Sequence, residues 1–193
     1  MDKTAIPASR DIMSAFPHAE SLIRQFVGHW GLMARSWGIN SSMGELFALL
    51  YITGSDWTAE DLRRSLGVSR GNVSMNLREL LAWGVVHKVH RPGERRELFR
   101  AETEVWTLFR KILRERKRRE LEPSLLVLES TSRMAEGQEE LRGIAERIES
   151  LRRFFRAIDI LADQVLSMPV GDLAEIGHLF RDEKEPPPGN EGF

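Results

Sequence analysis

Apolar residues recur at helical spacing along the first part of the chain. From Glu20 to about Trp37 they follow a period of about 3.6, at Leu22, Ile23, Phe26, Val27, Trp30 and Met33. Gly38 and Asn40 end this predicted helix. Ser42-Met-Gly-Glu45 then has the spacing of a capping box before the apolar run LFALLYIT. The pattern therefore predicts two successive helices.

The next stretch predicts a helix, a tight turn and a second helix. Thr58-Ala-Glu-Asp61 has the spacing of an N-terminal cap, and the helix that it begins ends at Leu66. Gly67 supplies the left-handed geometry of a C-cap. Ser69 caps the second helix, which runs to about Trp83 and ends at Gly84.

After Gly84 the apolar period changes from helical spacing to alternation. VVHKVH and RELFRA predict two short strands, and RPGER between them predicts a turn. Pro92-Gly93 suits the central positions of a type II turn, where glycine takes a positive φ. Helix, turn, helix and hairpin, in this order, predict a winged helix-turn-helix.

From Glu104 the pattern is helical again, with an expected break at Pro123. A long helix is predicted from about Gln138 to Ser167, ended by Met168-Pro169, and a short one over 172–181. The long helix carries a heptad seam at Leu141, Ile144, Ile148, Leu151, Phe155, Ile158, Ala162 and Val165. This seam predicts a homodimer, and packing against the chain's own N-terminal helix is the alternative.

These elements predict a mostly α protein with a small β wing. A winged helix-turn-helix domain is expected over 16–103 and a helical dimerisation region over 104–182. The polar N-terminus (1–15) and the Pro/Gly-rich tail (183–193) are predicted to be disordered.

Composition narrows the class of protein. The chain has 193 residues, of which 41% are hydrophobic and 30% charged, with a net charge of -1. The absence of cysteine excludes disulfides and thiolate zinc sites and fits a cytoplasmic protein. No run approaches the length of a membrane span, so no membrane partner is expected.

One face of the second helix in the helix-turn-helix is predicted to face DNA. With Val73 and Leu77 turned inward, the outward positions carry side chains suited to base edges and phosphates. The candidate DNA contacts on this helix are Ser69, Arg70, Gly71, Asn72, Ser74, Met75 and Arg78.

Charge supports this interpretation. Between Leu62 and Arg100 there are nine lysines and arginines against three acids, a surplus of six (the cations are residues 63, 64, 70, 78, 88, 91, 95, 96 and 100). Arg91, Arg95 and Arg96 surround the predicted wing turn, where they are expected to enter a minor groove or grip the backbone. A second basic run, 110–119, predicts a solvated helix, and phosphate contact is the alternative.

Residues 26–128 resemble the GbsR-type branch of the MarR-like transcriptional regulators. The resemblance rests on WGLMARSWGINSSMGELFALLYI (30–52), TAEDLRRSLGVSRGNVSMNLRELLAWGVV (58–86) and VHRPGERRELFRAETEVW (89–106). It implies a dimer with one winged helix per subunit, pseudo-palindromic operators and, in some members, a response to small ligands. The reading helix would then be 69–81 and the wing 86–101.

Five tryptophans add a candidate ligand site. Most are expected to be anchors of the core or of an interface. Trp30 and Trp37 lie near one face of the N-terminal helix and, with Trp106 or Phe109, would form an aromatic box for a cationic effector.

Metal and catalytic sites are not predicted. His87 and His90 point to opposite faces of a strand, and Glu175-Ile-Gly-His178 provides one Glu-x-x-His step where a di-iron helix pair needs two. No phosphate loop, nucleophile elbow or acid/base pair occurs, so neither an enzyme nor a cofactor is expected.

The sequence therefore predicts a dimeric, operator-binding regulator of transcription, expected to be a repressor, with double-stranded DNA as its partner. The alternative is a winged-helix module that binds an acidic protein surface instead of specific DNA.

Overall fold

The computed structural model describes residues 17–179 of the chain. Both segments predicted to be disordered, 1–15 and 183–193, lie outside the described residues. The helices are α1 (Pro17–Ser36), α2 (Ser41–Thr53), α3 (Ala59–Leu66), α4 (Arg70–Ala82), α5 (Val105–Arg116), α6 (Glu122–Ala135), α7 (Arg142–Ser167) and α8 (Val170–Leu179). Every described helix is too short or too polar to span a bilayer.

Three short strands form one antiparallel sheet in the order β1-β3-β2. The predicted hairpin is confirmed as β2 (Val86–Val89) and β3 (Leu98–Ala101), with Val86 opposite Ala101 and Val89 opposite Leu98. Strand β1 (Trp57–Thr58), which pairs Trp57 with Phe99, was not predicted. Two residues are too few to show an alternating pattern, so only the contact with β3 reveals this strand.

The chain divides into two compact units, one ending at Ile112 and the other beginning at Leu113. In the first unit, α1 packs on α2, and α2 packs on α4 and β3. The side chains of Leu46, Leu50, Leu62, Val73 and Val86 are almost completely buried between these elements. The predicted helix-turn-helix with its wing is therefore built around one core.

The N-terminal cap of α2 differs from the predicted one. Asn40, not Ser42, precedes the helix, and the Asn40 side chain accepts a hydrogen bond of 2.9 Å from the backbone N–H of Ser42. The predicted capping box at Ser42–Glu45 is therefore wrong by two residues. The side chain of Glu45 lies against Gly31 of α1 instead of reaching the cap.

Helices α1 and α2 approach closely at Gly44. A Cβ added there would lie 2.5 Å from the Cβ of Ala34 and 3.0 Å from the backbone oxygen of Trp30.

We expect Gly44→Ala to lower the free energy of unfolding by about 1–3 kcal/mol, because the two backbones must separate. Gly28→Ala on α1 is the matched control, since its Cβ would have no neighbour within 4 Å. Thermal unfolding of both variants tests this, and equal stabilities would contradict the close contact.

The described part of the second unit is mostly helical. Between α5 and α6 the chain continues through a π-helical turn, Lys117–Leu121. The backbone N–H of Glu122 donates a hydrogen bond to the backbone oxygen of Lys117 and so closes this turn. The expected break at Pro123 is therefore wrong. A proline ring clashes with the preceding turn of a regular α-helix, and a wider π-helical turn directly before Pro123 gives it room.

Helix α7 is the long helix predicted from the heptad pattern. A short 3-10 turn, Glu139–Leu141, precedes it, and Met168 ends it in an extended conformation before Pro169, as predicted. Its main neighbour in this unit is α6. The two helices form the larger part of the second unit.

Candidate nucleic-acid interface

Two side-chain caps and one glycine fix the position of α4. The hydroxyl of Thr58 accepts a hydrogen bond of 3.1 Å from the backbone N–H of Asp61 and so begins α3. Gly67 ends α3 with a φ of 66°. The hydroxyl of Ser69 then accepts a hydrogen bond of 3.2 Å from the backbone N–H of Asn72. All three features were predicted from the sequence, and they set the angle between α3 and α4.

Helix α4 has one buried and one exposed face. Val73, Leu77 and Leu80 are buried, which confirms the predicted orientation. Opposite them, the chain exposes residues of the types that contact DNA: Ser69, Arg70, Gly71, Ser74, Met75 and Arg78. No neighbouring atom lies within 4 Å of a Cβ built on Gly71, so the start of this face is open.

A buried asparagine holds one of the predicted DNA contacts. Asn76 is only 3% exposed, and its side-chain amide donates a hydrogen bond of 2.9 Å to Oδ1 of Asn72. Asn72 is half-buried, unlike the other predicted contacts of α4. Sequence reasoning missed Asn76, although an asparagine one turn after another is a spacing at which two amide side chains meet on a helix.

The carboxylate of Glu60 lies close to three arginines where α3 meets α4. The carboxylate of Glu60 accepts hydrogen bonds from Arg63, at 2.9 and 2.8 Å, and from Arg64, at 3.0 Å. The Nε of Arg70, the first residue of α4, lies 3.8 Å from the same carboxylate. The hydrogen bond from Arg63, followed by that from Arg64, lowers the pKa of Glu60 to about 2. Glu60 is therefore ionised at any physiological pH.

The tip of the wing is a tight turn. The backbone N–H of Glu94 donates to the oxygen of Arg91, at 3.1 Å, and Gly93 has a φ of 83°, as expected for the predicted type II turn. The carboxylate of Glu94 accepts from the Arg96 side chain at 3.1 Å, and this pairing lowers the pKa of Glu94 to about 2. Arg95 is exposed beside this pair.

Arg91, in the turn of the wing, is held by a buried acid. The side chain of Asp56, just before β1, is 1% exposed, and its two oxygens lie 2.5 Å from Arg91 and 2.5 Å from Arg100. Arg100 donates a hydrogen bond, whereas the Arg91 contact is an ion pair that lacks hydrogen-bond geometry. Both arginines remain about half exposed. Arg91 is therefore tied to the protein as well as accessible.

These contacts change the charge balance expected from the sequence. The surplus of six cations was counted from Leu62 onward, and it omits Glu60 and Asp56, which lie among those cations in the fold. Lys88 is also paired, at 2.5 Å, with Glu97. Within the described part of the chain, Arg78 and Arg95 have no carboxylate partner. An anion that approached either arginine would not compete with a carboxylate of the described residues.

The basic run that begins at residue 110 is mostly neutralised within the fold. Lys111 lies 2.7 Å from Glu102, and its hydrogen bond is the largest cause that lowers the pKa of Glu102. Lys117 lies between Asp159 and Asp163, at 2.6 and 2.8 Å. Arg118 and Arg119 pair with the buried carboxylate of Glu115, and Arg116 pairs with Glu120. The side chain of Lys117 is largely buried, so the predicted solvated helix does not hold at this residue.

The tryptophans of the predicted aromatic box do not contact one another as ring pairs; Trp30 and Trp106 each pair with a phenylalanine instead. Trp30 stacks on Phe26 with ring centroids 4.9 Å apart, and it packs against the hydrophobic core. Trp106 meets Phe109 edge to face at 6.3 Å. Trp37 follows the end of α1 and is 52% exposed. A ligand site built from these three tryptophans stays a prediction.

The described side chains include no group of three or more histidine, aspartate or glutamate residues arranged to bind a metal ion. The side chain of His178, the histidine of the Glu-x-x-His step, lies outside the described residues.

The predicted dimerisation seam lies at the edge of an exposed apolar stripe on α7. Leu141, Ile148, Phe155 and Val165 are half-buried and Ala162 is buried, whereas Ile144, Leu151 and Ile158 are exposed. Phe154 and Leu161, each 60% exposed, continue the exposed set at steps of three and four residues. We call Ile144, Leu151, Phe154, Ile158 and Leu161 the α7 stripe. The sequence pattern did not separate it from the positions that pack within the chain.

A family match and one solved structure support the fold. Residues 37–97 match the model of the MarR family. The crystal structure of a transcriptional regulator is similar to this chain at 19% identity and a TM-score of 0.60, covering 79% of this chain and 98% of its own. A mutant of S. aureus MepR bound to an oligodeoxyribonucleotide has 15% identity and a TM-score of 0.35, with 76% and 97% covered. No curated protein matches the sequence.

Proposed function

We propose that this chain, whose residues 37–97 match the model of the MarR family, is a winged-helix, DNA-binding regulator of transcription that acts as a homodimer. The observation that carries the proposal is the face of α4. Arg70, Ser74 and Arg78 are exposed on a helix whose opposite side is fixed in the core. The match to a family of regulators supports this function and not an enzymatic one.

In this proposal α4 lies in the major groove. Arginine donates to guanine or phosphate, serine and asparagine bond to base edges, and the methyl group of Met75 contacts thymine. The amides at the start of α4 that are not used by the Ser69 cap are available to a backbone phosphate. Arg95 and Arg96 of the wing contact the neighbouring groove or backbone, and Arg91 does so while it keeps its pairing with Asp56.

Two subunits would bind one operator. The α7 stripe is a continuous apolar surface of the kind that monomeric proteins seldom leave in water. A two-fold dimer through this stripe carries two α4 helices, which would read half-sites about 34 Å apart. A dimer that occupies a promoter would act as a repressor, and we propose this direction of regulation together with a cytoplasmic location.

The branch of the family and the response to ligands are further parts of the proposal. The wing sequence GERRELFRAETEVW is the main support for the GbsR-type branch. A small cationic effector would bind near Trp30, Trp37 and Trp106. Calorimetry with choline-like compounds tests this part, and heat within the noise at millimolar concentrations would contradict it.

Arg78 provides the most direct test of the reading helix. We expect Arg78→Ala to weaken binding by about 1–3 kcal/mol, because Arg78 meets DNA without a competing carboxylate. If Arg78 reads guanine, the loss is concentrated at one position of the operator. If it grips phosphate, all sequences lose equally and the salt slope falls by about 1.

Fluorescence anisotropy over a set of operator variants measures this effect. Arg24→Ala, which removes an exposed arginine of α1 that pairs with Glu20, is the matched control and should leave affinity unchanged. Equal affinity of the Arg78→Ala variant and the unmodified protein for every duplex would remove Arg78 from the interface. Absence of duplex binding even at low salt would favour the alternative, a module that binds an acidic protein surface.

A further inference from the structure

The arginines around Glu60 hold its carboxylate in the geometry with which arginine binds a two-oxygen anion. Arg63 donates to both oxygens of this carboxylate through its Nε and a terminal nitrogen, and Arg64 donates through its Nε. This parallel arrangement of guanidinium donors binds carboxylate and phosphate with the same geometry. Three guanidinium groups surround one negative charge, so the cluster as a whole stays positive.

The cluster lies beside the start of the reading helix. Arg70 begins α4, and its side chain is 87% exposed while its Nε is 3.8 Å from Glu60. Ser69 before it and the open surface at Gly71 leave this end of α4 accessible. A phosphate that approaches the first turn of α4 therefore comes close to the Glu60 cluster.

We propose that Glu60 occupies the position of a DNA backbone phosphate and competes with it for Arg63, Arg64 and Arg70. This inference rests on the proposed function. It adds Arg63 and Arg64 to the candidate phosphate contacts and makes Glu60 the group that limits affinity for the DNA backbone. Glu60 would weaken backbone binding equally for all sequences, because contacts with phosphates carry no sequence information.

The alternative role for Glu60 is purely local. An acid in the first turn of α3 stabilises the helix through its dipole, and its pairs with Arg63 and Arg64 stabilise neighbouring turns. In that case the carboxylate orders the arginines for DNA, and its removal would weaken binding. The two roles therefore predict opposite changes in affinity.

Glu60→Gln separates them, because glutamine keeps the size and the hydrogen-bonding oxygen and removes the charge. We expect the full-length variant to bind a duplex of unrelated sequence about fivefold more tightly at low salt, with a salt slope steeper by about 1. Affinity for an operator should rise by a similar factor, so the ratio of specific to nonspecific binding should not increase.

A matched control and a second substitution make the result specific. Glu20→Gln also removes one acid that is paired with an arginine on an exposed helical surface, and it should leave affinity unchanged. Arg63→Ala should have little effect in the unmodified protein, where Glu60 engages this side chain, and should reduce the gain in the Glu60→Gln background, where Arg64 and Arg70 remain. If Glu20→Gln and Glu60→Gln tightened DNA binding equally, the change in net charge would explain the effect. That result would overturn the inference.

A second readout does not depend on DNA binding. Pyrophosphate is titrated into both proteins while the Nε–H resonances of Arg63 and Arg64 are followed by NMR. We expect these resonances to shift at a concentration at least about threefold lower in the Glu60→Gln variant. If the resonances shifted at the same pyrophosphate concentration in both proteins, the inference would be overturned even if the protein binds DNA. A gain for pyrophosphate in a protein that binds no duplex would support the anion site and contradict the proposed function.

Discussion

A variant that carries Leu151→Glu and Ile158→Glu is expected to be monomeric and to bind its operator at least about 100-fold more weakly than the unmodified protein. Both residues lie on the α7 stripe, and Leu151 is 51% exposed. Two buried glutamates in a dimer interface cannot keep their charge without a large desolvation cost. Loss of the second subunit removes the high effective concentration that links two half-sites, which contributes 10²- to 10⁴-fold, roughly.

Sedimentation and light scattering measure the mass, which should fall from that of two chains to one chain of 22.1 kDa. Ser150→Glu with Ala157→Glu is the matched control. Both positions are exposed on the same helix, seven residues apart, and about a quarter turn from the centre of the stripe. This control should remain dimeric. A dimer in both variants, with unchanged operator affinity, would show that the α7 stripe is not the interface.

The second large effect concerns the buried acid at the base of the wing. We expect the double variant Arg91→Ala, Arg100→Ala to lose about 3 kcal/mol of stability, because it leaves the carboxylate of Asp56 buried without a partner. For a chain of this size such a loss lowers the midpoint of thermal unfolding by roughly 10 °C. The wing should also become more mobile, since both arginines tie it to Asp56, the residue before β1.

A third substitution tests the cause of that loss. Adding Asp56→Asn to the double variant removes the unpaired charge and should recover most of the lost stability, although two contacts are still missing. Asp56→Asn alone leaves two half-exposed arginines in water and should cost less than the double variant. If the triple variant were as unstable as the double variant, burial of the unpaired charge would not be the reason for the loss.

Local signals in the sequence predicted much of the helix-turn-helix. Caps and turn glycines act within a few residues, so their effect can be predicted from the residues next to them. This holds for the caps at Thr58 and Ser69 and for Gly67 and Gly93. The orientation of α4 followed from Val73 and Leu77 because helical spacing alone fixes which residues share a face. The same reasoning failed at α2, where Asn40 and Ser42 both suit a cap and only the structure shows which one is used.

Contacts between residues far apart in the sequence could not be predicted. Asp56 meets Arg100 across 44 positions, and this pairing depends on β1, a strand too short to leave a pattern. Glu60 lies just outside the segment in which basic residues were counted, so the count overstated the free positive charge. Asn76 was hidden for a different reason, since a polar residue is expected at the surface unless its hydrogen-bond partner is known.

The heptad seam shows the limit of periodicity. The spacing identifies which positions of α7 are apolar, but it does not identify what covers each of them. Ile148 and Phe155 are half-buried, while Leu151 and Ile158 remain exposed. A helix whose apolar face is wider than one heptad seam can pack against two other helices. The sequence pattern does not show which helix covers which part of that face.

Selection of bound duplexes from a random pool tests the central claim, that the exposed face of α4 reads DNA. We expect the full-length protein to enrich an inverted repeat whose half-sites are about 34 Å apart, and the Arg78→Ala variant to enrich a sequence altered or relaxed within each half-site if Arg78 reads a base. Enrichment of no sequence by the unmodified protein, at a salt concentration where a known winged-helix regulator succeeds, would contradict the claim.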